Sequence, residues 1–189
     1  MNTKFRLVLA TAAALLALPL AQAAKLVTQS AQITFFSSTP AEDIKSVNNS
    51  VVSSLDPATG AVAYSVPMQS FEFEKALMQK HFNQPKFLDT KAHPHATFKG
   101  RIVNLAEIDF SKDGTYPATI AGVLNIKGAD KEVSETGTLT VKGGEVIAEA
   151  KFNLTLADFG VTFIEGKPSK NIAKIVEVTV KAPYAAAAQ

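Results

Sequence analysis

The chain contains no cysteine and no tryptophan, and only 3 of its 189 residues are tyrosine. The lack of cysteine excludes disulfide frameworks, thiolate metal sites, cysteine nucleophiles and lipid attachment through an N-terminal cysteine. Charge is also sparse, since 19% of the residues are charged and the formal net charge is +2. This balance argues against a nucleic-acid partner, because phosphate-backbone binding draws on an excess of lysine and arginine.

The first 23 residues show the three-part pattern of a secretory signal peptide. Lys4 and Arg6 form a positive start, and residues 7–20 carry no charge. Ala21 and Ala23 then supply small side chains at the two positions that a signal peptidase reads. We therefore expect cleavage after Ala23 and a location in the bacterial periplasm.

A transmembrane anchor is the alternative interpretation of this segment. Spanning a bilayer takes roughly 20 apolar residues, and Pro19 and Gln22 interrupt the run near its end. We expect a single domain over residues 24–189, with no membrane span after cleavage.

Apolar residues recur with a period close to two along most of the mature chain, which predicts β-strands. The clearest run covers residues 145–156, and shorter runs cover residues 98–102, 118–126 and 176–180. Asp113-Gly114 and Gly143-Gly144 are typical of tight hairpins. About eight strands joined by short turns predict an all-β fold, an eight-stranded antiparallel lipocalin-like barrel.

Two stretches depart from this alternation. Residues 74–82 combine good helix formers with apolar residues at helical spacing, which predicts a short amphipathic helix ended by residues 83–85. Residues 37–46 are expected to hold a second helical turn. The predicted barrel therefore carries one or two short helices.

An eight-stranded barrel has a lumen that holds either its own side chains or one small ligand. The predicted inward set mixes bulky Phe98, Phe152 and Leu124 with small Ala148 and Ala150. A solid core and an apolar pocket both fit this pattern. With 12 phenylalanines in the chain, such a pocket would prefer a hydrocarbon chain to a sugar or a nucleotide.

Evidence for catalysis or metal binding in the sequence is slight. His93 and His95 have a spacing that places both rings on one side of a strand, and a zinc site would need His81 or Asp89 as a third ligand. Exposed loop histidines are the simpler interpretation. No nucleophile elbow and no glycine-rich phosphate loop is present, so we expect neither an enzyme nor a metal site.

Three stretches resemble the YceI-like family of small periplasmic proteins. They cover residues 33–44, residues 71–83 and residues 87–100. The last is the most specific, because a His-Phe pair that ends a helix (His81-Phe82) is soon followed by a Pro-x-x-x-Phe strand entry (Pro94 to Phe98).

The resemblance implies a barrel with an elongated apolar cavity that holds an isoprenoid, such as a quinone tail or polyprenyl chain, or another amphiphile. The leading hypothesis is a periplasmic carrier for such a lipid. A stress-related interaction module with a solid barrel core is the alternative, and a histidine-metal enzyme is a third. No protein cofactor is implied, and the oligomeric state stays open, a homodimer included. The residues expected to line the ligand pocket are Phe35, Phe71, Phe73, Leu77, Phe82, Phe98, Ile120, Leu124, Phe152 and Leu154.

The signal-peptide prediction is tested by N-terminal sequencing of protein recovered from the periplasmic fraction. We expect the mature chain to begin at Ala24. A chain that keeps Met1 and stays in the membrane fraction would favour the anchor instead.

Overall fold

The computed structural model describes residues 24–162 and 168–185, without the side chains of Pro168 and Ser169, and the predicted signal peptide lies outside these residues. The described chain is built mainly from nine strands with two short helices. Its elements in order are β1 (Leu26–Ser38), β2 (Asp43–Leu55), β3 (Ala61–Pro67), β4 (Glu72–Phe73), α1 (Ala76–Phe82), β5 (His95–Ile102), β6 (Gly114–Ile126), β7 (Ala129–Lys142), β8 (Glu145–Thr155), α2 (Pro168–Asn171) and β9 (Ile175–Tyr184). None of the helices described is long and apolar enough to cross a bilayer.

The strands close into an eight-stranded antiparallel barrel, as predicted. Neighbours follow the order β1-β9-β8-β7-β6-β5-β3-β2, and β1 also pairs with β2. In one direction β1 forms a hairpin with β2, and in the other it pairs with the last strand, where Gln32 lies opposite Lys181. Closure leaves the sheet without a long free edge, which removes a common route to aggregation.

The two-residue strand β4 pairs with β2 beyond the part of β2 that pairs with β3. β3 pairs with Val52 to Leu55, and β4 pairs with Ser46 and Val47. Between these pairings the buried Asn48 donates its side-chain N–H to the carbonyl of Pro67, with a donor–acceptor distance of 2.8 Å. A side chain thus replaces the missing ladder bond, as buried backbone carbonyls require.

The turn predictions had mixed outcomes. Gly143 and Gly144 form the β7–β8 hairpin, both with positive φ, which confirms that prediction. The prediction of a tight hairpin at Asp113-Gly114 is wrong, because the β5–β6 connection spans residues 103–113 and Gly114 is the first residue of β6. A hairpin at Lys127-Gly128, also with two positive φ angles, was not anticipated.

Helix α1 and its end at Asn83 confirm the predicted helix over residues 74–82. The helical turn expected within residues 37–46 is absent: residues 37–38 end β1, residues 43–46 begin β2, and the loop between them has no helical hydrogen bonds. The predicted strand over residues 145–156 ends one residue earlier, because Leu156 starts a 3-10 turn.

The barrel interior is largely filled at one end, where only a small cavity of about 50 Å³ remains. The end of the barrel farther from α1 is filled by tightly packed apolar side chains together with the buried ring of Tyr184. These buried apolar residues are Leu26, Leu55, Val62, Ile102, Leu139, Val141 and Val146. Packing of the kind that the solid-core alternative expected is therefore found in this half of the lumen only, around the small cavity.

Gly100 and Gly122 face each other across β5 and β6 where the two backbones approach closely. A Cβ built on Gly122 would lie 2.3 Å from the carbonyl oxygen of Lys99. Such contacts explain why glycine stands here in strand interiors, where it otherwise weakens pairing.

We expect Gly122→Ala to lower the free energy of unfolding by about 1–3 kcal/mol, because a rigid backbone must move to admit the methyl group. Urea unfolding should show a lower midpoint with an unchanged slope. Gly114→Ala is the matched control, since the nearest atoms there belong to the ring of Tyr116. Equal losses in the two variants would contradict this account of Gly122.

Candidate functional site

The other half of the barrel encloses a cavity of about 630 Å³. This volume falls within the range of roughly 300–1,000 Å³ that is usual for small-molecule sites. Inward residues of the strands form the wall, and α1 and α2 lie over the end. Most of the lining side chains are apolar.

All ten residues predicted to line a pocket line this cavity. Seven of them lie on strands, Phe71 directly precedes β4, and Phe82 is the last residue of α1. Leu77 differs, because it is 62% exposed and stands at the mouth instead of inside. Their role in binding a ligand stays a prediction.

Four phenylalanines form a cluster in the cavity wall next to α1. Phe35 stacks on Phe82 with ring centroids 5.8 Å apart, and its ring also contacts Phe71 at 5.5 Å and Phe73 at 5.7 Å. Phe82 completes the cluster with contacts to Phe71 and Phe73. Through Phe82, the cluster anchors the C-terminal end of α1 over the cavity.

A polar latch crosses the rim. Lys75 Nζ donates to Glu42 Oε1 at 2.9 Å, and Asn171 Nδ2 donates to Glu42 Oε2 at 2.9 Å. The backbone N–H of Ala173 donates to Ser37 Oγ, also at 2.9 Å. These bonds join the end of β1 and the β1–β2 loop to the residue before α1 and to the C-terminal end of α2 and the segment after it. The hydrogen bonds from Lys75 and Asn171 hold the pKa of Glu42 below its ordinary value.

Three hydroxyl groups meet at the inner end of the cavity. Ser53 Oγ donates to the carbonyl of Ala63, so the 2.6 Å contact between Ser53 Oγ and Tyr184 Oη must use the proton of Tyr184. The hydroxyl of Tyr64 adjoins both groups, and burial raises the pKa of Tyr64. Burial and the nearby Tyr64 raise the pKa of Tyr184 as well.

Sequence reasoning missed several wall residues, of which Tyr64 is the most consequential. The signal was present, since Val62, Tyr64 and Val66 alternate along β3 and all three face inward. Glu135 was also missed. It is a half-buried carboxylate in the β7 wall, and among the described residues it has no hydrogen bond or ion pair.

The histidines do not converge on a metal site in the part of the chain that the structure describes. No group of three or more His, Asp or Glu side chains there could hold an ion. The ring of His93 lies against the Lys127-Gly128 hairpin, as a Cβ on Gly128 would be 3.0 Å from it. His95 begins β5 opposite Pro67.

Together, the closed antiparallel barrel and the large apolar cavity inside it place the protein in the lipocalin-like class of β-barrels. The chain belongs to the YceI-like family, because the family model for the YceI-like domain matches residues 22–184. The resemblance found in the sequence is thereby confirmed. No curated protein sequence is similar enough to count as a relative.

Solved structures share this fold at low sequence identity. A polyisoprenoid-binding domain from Saccharophagus degradans, implicated in plant cell wall breakdown, superimposes with a TM-score of 0.74 at 11% identity, over 87% of this chain and 99% of that one. BcnA of Burkholderia cenocepacia gives a TM-score of 0.67 at 18% identity, over 82% and 96% of the two chains. The YceI protein of Campylobacter jejuni gives 0.58 at 16% identity, over 74% and 81%.

The latch leads to a prediction about the pKa of Glu42. Because the pKa of Glu42 is lowered, the latch is fully formed above pH 4.5 and is lost as the pH falls through the lowered pKa. We expect Lys75→Met to raise the pKa of Glu42, measured by NMR titration of its carboxyl carbon. Lys80→Met is the control, as Lys80 lies on α1 away from this bond. An unchanged pKa in Lys75→Met would contradict the latch.

Proposed function

We propose that the mature chain is a periplasmic carrier or sequestering protein that holds an isoprenoid chain, or another long-chain amphiphile, in the barrel cavity. The observation that supports this most strongly is the cavity itself, about 630 Å³ of lumen with a mainly apolar wall. The fold neighbour described as polyisoprenoid-binding, from Saccharophagus degradans, supports the same ligand class.

Binding in such a cavity is driven by desolvation. Burying apolar surface is worth roughly 25 cal/mol per Å², so a chain of several isoprene units contributes over about 10 kcal/mol before the ordering costs. No constellation for chemistry accompanies the cavity in the described residues, and we propose that the ligand is bound without being converted.

The charges around the cavity favour a neutral ligand. Among its lining residues, Lys75 is neutralised by Glu42, and Glu135 adds a further negative charge to the wall. A fatty-acid carboxylate placed inside would meet like charge in a poorly solvated site, which is unfavourable. A quinone or another uncharged isoprenoid meets no such penalty.

The proposal is tested by native mass spectrometry of the purified protein with an added polyprenyl quinone. We expect uptake by the wild-type chain and a loss of affinity of at least about tenfold in Ala150→Phe, because displacing even two buried methylenes exceeds that factor. Ala150 faces the cavity from β8, and the added ring would fill that space.

Ala121→Phe is the matched control, since Ala121 lies between the inward Ile120 and Gly122 and its side chain is on the outer face. Recovery of bare wild-type protein with no uptake would overturn the proposed function. Equal uptake by Ala150→Phe and the wild type would show that the ligand does not occupy this cavity.

A further inference from the structure

The barrel holds a second, smaller cavity directly below the first. It has a volume of about 50 Å³ and is lined by side chains from the solid end of the lumen, among them Leu55, Ile102 and Tyr184. Four residues line both cavities: Tyr64, Ile120, Ala150 and Val180. These four side chains form the neck between the two spaces.

Tyr64 has the largest side chain of the neck and is fixed in place. Its ring lies beside that of Phe98, with centroids 6.4 Å apart. Its hydroxyl joins the buried hydroxyls of Tyr184 and Ser53. Turning the ring out of the neck would strip a buried hydroxyl of its partners, which is costly.

The surface that Tyr64 leaves uncovered faces the cavity and not bulk solvent. The residue is only half-buried by exposed area, yet burial raises its pKa. Both observations agree when the free face of the ring looks into an enclosed apolar space. A chain that enters from the rim and runs down the barrel therefore ends against this ring.

We propose that Tyr64 is the stop that sets how many isoprene units the cavity takes. This inference rests on the proposed function and adds a specificity-determining residue to it. Units that fit above the ring are buried against the apolar wall. Units beyond that number stay in water at the rim and add no affinity, since the space below the neck is closed to them.

The test compares polyprenols that differ by one isoprene unit, competing for the protein in native mass spectrometry. In the wild type, affinity should rise by at least about tenfold for each added unit and then stop rising at a defined chain length. In Tyr64→Ala the two cavities merge. We expect the chain length at which affinity stops rising to increase by at least one isoprene unit, and this longer chain to bind about tenfold more tightly than to the wild type.

Tyr64→Leu tests the same point with a more conservative core change, should Tyr64→Ala fail to fold. Tyr116→Ala is the matched control, because the ring of Tyr116 lines neither cavity. In this variant, affinity should stop rising at the same chain length as in the wild type. A folded Tyr64 variant in which affinity stops rising at the wild-type chain length would overturn this inference while leaving the proposed function intact. A wild-type chain that takes up neither polyprenol nor polyprenyl quinone would overturn both.

Discussion

Every feature of the site depends on the closure of the barrel by β1. That strand pairs on one side with β2 and on the other with the last strand, so the beginning and the end of the domain complete the same wall. Without the five residue pairs between β1 and β9, from Gln32 to Phe36, the inward side chains would line an open sheet. An open sheet has no enclosed lumen, and its edges would pair with other chains.

Closure alone does not decide whether the lumen is full, and here the two halves differ. At the solid end, branched residues and Tyr184 meet across the axis. At the other end, the large rings of Phe35, Phe71, Phe73 and Phe82 pack against one another along the wall and not across it. Since core voids cost roughly 24 cal/mol per Å³, a hollow of this size favours an occupant.

The local sequence pattern was enough to predict much of this structure. The alternation along β8 and β9, the Gly143-Gly144 hairpin and α1 were readable because each depends on residues close in sequence. The sequence could not reveal the Lys127-Gly128 hairpin, since lysine rarely adopts positive φ. It also could not reveal that Asp113 ends a long connection between β5 and β6. The rim latch was equally hidden, because Glu42 and Asn171 are 129 residues apart and meet only after the barrel closes. The seven predicted wall residues on strands could be named because inward direction follows from strand period. The position of Tyr64 at the neck instead depends on which side chains face it across the lumen.

An apolar wall gives affinity with little discrimination, because hydrophobic contact is non-directional. For the proposed carrier, selectivity must therefore come from the two ends of the barrel, where polar groups are fixed. At the rim, Glu42 holds Lys75 and Asn171, so the charged groups there are already paired with one another. At the neck, the hydroxyls of Ser53 and Tyr184 hold the ring of Tyr64. In the proposed carrier, the middle of the cavity then determines how tightly a chain is held, and the ends determine which chain is held.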